Sequence, residues 1–169
     1  VLPTGNLREP KLGAKRAQLI VVTKCPENLC DLEKTAITKR LNPASNQTIF
    51  FSSIEYSDTL ISSDSSRALA DLKGTYFTLV TGIANPAPLV EYLTEMGLEF
   101  EHLNYKDHHE FSKSELELIH SKSLVVTTEK DFSRLHTESQ DQIYYLPIQL
   151  KIDRASEFER LVEGYVQHL

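Results

Sequence analysis

The sequence has 169 residues, a length typical of one folded domain, and its composition of 40% hydrophobic and 25% charged residues is that of an ordinary globular protein. Its net charge of -6 argues against general nucleic-acid binding, which requires a basic surface. Two cysteines are too few for a disulfide-stapled secreted domain, so we expect reduced thiols. No apolar run approaches the ~20 residues of a membrane-spanning helix.

The first 18 residues differ from the rest of the chain. They begin without Met, and Pro3, Gly5 and Pro10 give them the chemistry of turns rather than of a strand or helix. We therefore expect residues 1–18 to be a linker between two domains, and residues 19–169 to form an α/β domain that follows another domain.

Strand-like and helical patterns alternate from residue 19 onward. Strands rich in β-branched and aromatic residues are predicted over 19–23, 48–54, 76–81, 99–103, 123–127 and 143–146. Helical periodicity is predicted over 29–41, 88–96, 113–122 and from 155 to the end. Several strands are continuous apolar runs, which suit burial on both faces of a sheet. The alternation predicts an α/β fold, with a mostly parallel Rossmann-like sheet and helices on both faces.

The stretch 55–74 interrupts this alternation. It is rich in Ser and Asp, with a small strand predicted over 56–61 and a short helix over 67–72. We interpret it as a small excursion or hairpin at the edge of the sheet.

Polar residues follow four of the predicted strands. They are Thr23 and Lys24, the segment from Thr81 to Pro86, the segment from Asn104 to His109, and the segment from Thr127 to Asp131. Right-handed crossovers place the carboxyl ends of parallel strands at one edge, where ligands bind in open α/β sheets. We therefore expect one polar rim.

Asp107, His108 and His109 form the most reactive-looking segment of this rim. Two imidazoles beside a carboxylate suit proton transfer or metal binding, and an adjacent Asp fixes a histidine tautomer. The same residues also fit a capping turn before the next helix, with both histidines merely solvated.

The other candidates have structural alternatives as well. Gly82 permits a ligand to approach the backbone, and Asn85 precedes a helix, although a plain turn accounts for both. Thr127 or Thr128 caps a helix that does not need Lys130 for its cap. Near the start of the chain, Arg8 has a guanidinium suited to binding phosphate. The alternative is that Arg8 and the adjacent Glu9 form a surface ion pair, which contributes little to stability.

Three motifs that mark nucleotide binding or nucleophilic catalysis are missing from the sequence. It contains no G-x-x-x-x-G-K-[ST] loop, no G-x-G-x-x-G turn and no G-x-S-x-G elbow. The chain thus has candidates for acid–base chemistry and phosphate contact without a loop that holds a nucleotide.

Five segments in order resemble the C-terminal half of the tetraacyldisaccharide 4'-kinase family, the lipid A 4'-kinases of Gram-negative bacteria. These segments are LPTGNLREP at 2–10, AQLIVVTK at 17–24, VTGIANP at 80–86, DHHEF at 107–111 and TEKD at 128–131. The resemblance covers the chain from end to end, and it departs from the usual family pattern mainly at Thr4 and Asn6.

The resemblance implies a two-domain P-loop kinase. Its N-terminal domain would hold ATP and Mg²⁺ and carry a hydrophobic segment that associates with the cytoplasmic side of the inner membrane. The enzyme would transfer the γ-phosphate of ATP to the 4'-hydroxyl of tetraacyldisaccharide 1-phosphate in lipid A biosynthesis. This chain would supply the domain that closes against the P-loop domain, and we expect it to be inactive alone and to bind no cofactor tightly.

The resemblance also implies roles for individual residues. His108 would pair with a catalytic Asp of the other half to accept the 4'-hydroxyl proton, and Asp107 would orient His108. Arg8 would stabilise charge on the transferred phosphoryl group, with Glu9 positioning it. Residues expected to line the substrate or phosphate site are Gly82, Asn85, His109 and Lys130.

Two other functions stay open at this point. One is a non-catalytic α/β module whose rim recognises a sugar nucleotide or a partner protein. The other is a metal-dependent phosphoesterase of the Asp-His-His type, which would need further Asp and His ligands at strand ends before Asp107.

Overall fold

The computed structural model describes residues 11–135 and 141–167, and it shows a mixed α/β protein. In chain order, its strands are β1 (Leu19–Cys25), β2 (Thr48–Tyr56), β3 (Thr59–Ile61), β4 (Ser66–Ala68), β5 (Phe77–Thr81), β6 (Phe100–Asn104), β7 (Val125–Thr128), β8 (Ile143–Leu146) and β9 (Ile148–Ile152). Its α-helices are α1 (Asp31–Leu41), α2 (Ala87–Glu95), α3 (Lys113–His120), α4 (Glu129–Leu135) and α5 (Ala155–Val166). Short 3-10 helices cover Lys11–Arg16 and Leu69–Leu72.

The described residues form two compact units rather than one. The central unit comprises Tyr56–Ile148, and the split unit comprises residues 11–55 together with 149–167. The strands expected to form one sheet accordingly fall into two sheets, with orders β1-β2-β9 and β4-β3-β8-β7-β5-β6. The domain boundaries predicted from the sequence stay a prediction.

The six-stranded sheet of the central unit confirms the mostly parallel arrangement. Its strands β8, β7, β5 and β6 run parallel to one another, with Val80 opposite Thr127 and Thr81 opposite Asn104, whereas β3 pairs with β8 in the antiparallel direction. The predicted excursion is an antiparallel hairpin of β3 and β4 at the edge. Within it, Ser66–Ala68 forms a strand, so the predicted short helix begins only at Leu69.

Helices cover both faces of this sheet. Neighbouring strand residues point to opposite faces, and Leu79 and Val80 accordingly belong to two different core clusters. One cluster includes Leu93 of α2, and the other includes Ile119 of α3 and Leu135 of α4. All five residues of β5 are buried, which explains why its sequence lacks charged residues and does not alternate regularly between apolar and polar ones.

The split unit has a much smaller core. Strands β1 and β2 pair in parallel, with Leu19 opposite Thr48. Among the described residues of this unit, the buried ones are four consecutive members of β2 (residues 49–52), and neither α1 nor α5 has a buried residue. The ring of Phe158 packs edge-on against that of Phe50, with centroids 5.2 Å apart.

Predicted and observed boundaries agree within two residues for the six predicted strands. Strand β9 was missed, although Ile148, Leu150 and Ile152 alternate with polar residues, a strand signal that here extends over only five positions.

The loss of stability on substitution should be larger for a core residue than for a surface residue. Leu79 is fully buried in the central sheet, so we expect Leu79→Ala to lower the free energy of unfolding by about 2–5 kcal/mol through lost burial and a cavity. Leu118→Ala is the matched control, because this leucine of α3 is 47% exposed. Denaturant unfolding of both variants measures the difference, and equal losses would contradict the assigned core.

Candidate functional site

Three of the four predicted polar segments meet at the carboxyl edge of the central sheet. Strands β5, β6 and β7 end side by side there, and the Tyr105 N–H after β6 donates to the Thr81 carbonyl at 2.7 Å. The fourth segment does not share this edge, because Thr23 and Lys24 lie in β1, in the sheet of the split unit. The described rim is therefore formed by the loops after β5 and β6 and by helix α4.

A buried carboxylate connects two of these segments. Asp131 is 0% exposed, and its Oδ2 accepts hydrogen bonds from the Gly82 N–H at 2.7 Å and the Thr128 hydroxyl at 2.9 Å. Its Oδ1 pairs with Nη2 of Arg134. Since a buried charge is tolerated only when it is paired and hydrogen-bonded, these partners are required by the burial of Asp131.

Close packing favours a glycine at position 82. A Cβ atom there would lie 3.1 Å from Oδ1 of Asp131 and 3.5 Å from Nη2 of Arg134. Gly82 therefore serves the contact between the β5 end and α4. A ligand role for Gly82 stays a prediction.

His108 occupies an exposed and strained position. It lies in the tight turn closed by the hydrogen bond from the His109 N–H to the Lys106 carbonyl, 3.0 Å long. Its φ of 59° is left-handed, a conformation that costs a non-glycine residue about 1–3 kcal/mol. Its side chain is 79% exposed, so the imidazole projects into solvent.

Asp107 pairs with Lys130 more closely than with His108. Nζ of Lys130 lies 2.9 Å from Oδ1 of Asp107, whereas Nε2 of His108 lies 3.7 Å from Oδ2, beyond hydrogen-bond length. The hydrogen bond from Lys130, with a smaller contribution from His108, lowers the pKa of Asp107. The carboxylate is therefore charged at neutral pH, and the predicted phosphate contact of Lys130 would have to share this cation with Asp107.

The neighbouring His109 is packed into the protein instead. Its ring stacks on Tyr105 at 4.8 Å and meets Phe111 edge-on at 5.2 Å, while Nε2 lies 3.1 Å from Glu115. Glu115 also completes the predicted capping box with Ser112, whose backbone N–H and hydroxyl donate to it. These hydrogen bonds, led by the Ser112 backbone, lower the pKa of Glu115 to about 2.

Of the three remaining predicted site residues, the structure describes one. Asn85 is exposed and directly precedes Pro86, the N-cap of α2. Arg8 and Glu9 lie outside the described residues. The roles expected for these three residues stay predictions.

The rim contains two residues that the sequence-based interpretation missed. His102 of β6 lies with its Nε2 2.9 Å from the buried Thr81 hydroxyl, and burial lowers the pKa of this histidine. Arg134 of α4 donates from Nη1 to the His109 carbonyl at 2.7 Å. Its spacing of three residues from Asp131 was the available signal for an ion pair on one helix.

Two features are absent from the described part of the chain. Within 11–135 and 141–167, no three His, Cys, Asp or Glu side chains cluster closely enough to hold a metal ion. In the same ranges, no helix has both the length and the apolar character needed to cross a bilayer.

Sequence comparisons agree on one family. The sequence model of the family described as tetraacyldisaccharide-1-P 4'-kinase matches residues 1–167. The tetraacyldisaccharide 4'-kinase of Flavobacterium johnsoniae is 39% identical over 172 residues, covering 99% of this chain and 50% of that protein. The corresponding protein of Bacteroides thetaiotaomicron is 35% identical over 193 residues, covering 99% and 51%. The chain thus spans about half the length of these curated relatives.

A solved structure supports the fold. The crystal structure of LpxK from Aquifex aeolicus in complex with ATP matches with a TM-score of 0.61 and 20% sequence identity. The match covers 97% of this chain and 47% of that chain. At this identity the likeness shows that the two proteins share the fold.

Gly82 provides a test of the contact around Asp131. We expect Gly82→Ala to lower the free energy of unfolding by about 1–3 kcal/mol, because the added Cβ would lie 3.1 Å from the fully buried Asp131 carboxylate, which can shift only by lengthening its hydrogen bond from the residue 82 N–H. Gly164→Ala in α5 is the control, since no atom lies within 4 Å of its added Cβ and a helical alanine gains roughly 0.5–1 kcal/mol. Chemical denaturation measures both, and a neutral Gly82→Ala would contradict the contact.

Glu115 should make stability depend on acidic pH. Its folded pKa of about 2 lies below its ordinary value of 4.5, so its stabilising contribution is present above pH 4.5 and is lost as the pH falls through about 2. The difference in unfolding free energy between the wild type and Glu115→Gln should therefore shrink over this range. Glu117→Gln on the same helix is the control, because that exposed carboxylate only faces Lys113 at 3.8 Å. Equal pH profiles for both variants would refute the prediction.

Proposed function

The chain belongs to the tetraacyldisaccharide-1-P 4'-kinase family, and from this membership we propose that it is part of a kinase for a lipid A precursor. The complete protein would transfer the γ-phosphate of ATP to the 4'-hydroxyl of tetraacyldisaccharide 1-phosphate. The observation that carries this proposal is the match over residues 1–167, which includes the turn that exposes His108.

His108 is the proposed proton acceptor. Of the two adjacent histidines, His109 is engaged by Glu115 and two aromatic rings, whereas His108 is exposed and available to a substrate hydroxyl. A neutral imidazole accepts a proton near neutral pH, and the adjacent Asp107 carboxylate stabilises the imidazolium that forms. We further propose that a catalytic Asp outside this chain completes the pair.

The other predicted residues would stabilise charge on the transferred phosphoryl group or line the substrate cleft. Arg8 would stabilise the negative charge that develops on the transferred phosphoryl group, and Glu9 would hold Arg8 in place. Gly82, Asn85 and Lys130 would line the cleft, with Lys130 released from Asp107 in part when a phosphate binds.

ATP and Mg²⁺ would be held mainly by the part of the protein that this chain does not span. The sequence of this chain contains no P-loop motif, and the LpxK structure with a similar fold is a complex with ATP. When bound, Mg²⁺ would neutralise charge on the β- and γ-phosphates.

The exposed surface of the split unit supports an interaction with the part of the protein that this chain does not span. Its helices α1 and α5 have no buried residue, and Leu32, Val162 and Val166 are 83%, 37% and 65% exposed. Strand β1 lies at the edge of its sheet. Because exposed apolar surface and unpaired strand edges mark interaction sites, we propose that the N-terminal P-loop domain covers this unit. That domain would also carry the contact with the inner membrane on its cytoplasmic side.

A phosphoryl-transfer assay on the complete protein tests the proposed function. With ATP labelled at the γ-phosphate and tetraacyldisaccharide 1-phosphate as acceptor, we expect the wild type to form the 4'-phosphorylated product. His108→Ala should lower kcat by about 10²–10⁴-fold, because general base catalysis is lost. This chain alone should show no transfer.

Lys113→Ala is the matched control, since Lys113 lies close in sequence to His108 but its side chain is 91% exposed and it only faces Glu117. It should retain wild-type kcat. A complete protein without transfer activity would reject the proposed function, and an active His108→Ala variant would remove His108 from the mechanism.

A further inference from the structure

We propose that Arg134 is a positioning residue for His108, acting through the backbone of His109 rather than on the substrate. This inference rests on the proposed function, because it assigns Arg134 a part in presenting the proton acceptor. Arg134 belongs to helix α4, whereas His108 lies in the turn after β6.

Helix α4 holds the His108 turn on both sides. Before His108, the Asp107 carboxylate binds Nζ of Lys130 at 2.9 Å. After His108, the His109 carbonyl accepts a hydrogen bond from Nη1 of Arg134 at 2.7 Å. Lys130 and Arg134 are four residues apart, so they lie on one face of the helix. The turn is therefore tied to a single rigid element at the residues that flank the exposed imidazole.

Arg134 is itself fixed in place. Its Nη2 pairs with Oδ1 of the fully buried Asp131, whose other oxygen accepts from the Gly82 N–H and the Thr128 hydroxyl. Its guanidinium lies over the ring of Phe111, 5.6 Å from the centroid. The planar fork of arginine donates in two set directions at once, which a lysine cannot do. The position of the His109 carbonyl is thus fixed relative to the ends of β5 and β7, through Arg134 and Asp131.

The imidazole of His108 makes few contacts of its own. Its side chain is 79% exposed, and its left-handed φ of 59° makes its direction depend on the turn backbone. A change of about 1 Å in the backbone at His109 would move the imidazole by a similar distance, enough to lower catalysis about 100-fold.

The geometry of Arg134 argues against a direct role in binding phosphate. Both of its terminal nitrogens bond protein oxygens, and its Nε atom is buried with no hydrogen-bond partner among the described residues. Only 29% of the side chain is exposed. The cation faces the protein, as a positioning role requires.

Arg134→Lys in the complete kinase tests the proposal. A lysine keeps a cation beside Asp131 but cannot also reach the His109 carbonyl, so the fold is retained while the turn is released. We expect kcat to fall about 10- to 100-fold, with KM for ATP and for the lipid acceptor unchanged within about twofold. Lys113→Ala is again the control for loss of a nearby cation.

A double-mutant cycle shows whether Arg134 acts through His108. In the His108→Ala background, Arg134→Lys should cause no further loss of the residual rate, because the positioned group is absent. Should Arg134→Lys fail to fold, Arg134→Gln combined with Asp131→Asn removes both charges together, and the same loss of kcat is expected from it. Thermal unfolding of each variant checks the fold.

The outcomes separate the inference from the proposed function. Wild-type kcat in the folded Arg134 variants, a raised KM with unchanged kcat, or additive losses in the His108→Ala background would each overturn the positioning role alone. A wild-type complete protein without kinase activity would instead reject the proposed function, and the inference with it.

Discussion

The candidate site depends on the burial of one charge. Asp131 is fully excluded from solvent, and an unpaired carboxylate there would destabilise the fold strongly. The Gly82 N–H, the Thr128 hydroxyl and the Arg134 guanidinium each meet this need, and they come from the end of β5, the end of β7 and helix α4. Because the same guanidinium reaches the His109 carbonyl, pairing of the buried charge also determines where the loop after β6 lies.

The fold could be predicted where burial leaves a direct pattern in the sequence. Phe77–Thr81 contains no charged residue and is rich in β-branched and apolar residues, because all five residues are buried between two helical layers. Ile148–Ile152 has a different pattern, an alternation of apolar and polar residues over only five positions, and this strand was missed. The division into two sheets was also not predictable, because the apolar runs of β1 and β2 resemble those of β5 and β7. Which strands pair is decided by long-range contacts that periodicity does not record.

The site shows the same limit at the level of single residues. Asp107, His108 and His109 were predicted as one reactive group, yet His109 packs between Tyr105 and Phe111 while His108 is exposed. Adjacent residues of one type are indistinguishable in a sequence, and only the turn geometry separates them. Arg134 was missed because an arginine three residues after an aspartate usually forms a weak surface pair on a helix. What makes this pair different is the full burial of Asp131, which no local pattern reports.

The two units differ in how far their own residues complete a core. The central unit buries side chains on both faces of its sheet, and the contacts that hold the His108 turn all lie within it. In the split unit, the described residues that are buried belong to β2 alone, and both of its α-helices keep apolar side chains exposed. In the proposed kinase, the unit with exposed surface would therefore be the one that docks on the remaining chain. The geometry of the proton acceptor would be fixed in the other unit, independently of that docking, so that closure has to bring together parts that are already formed.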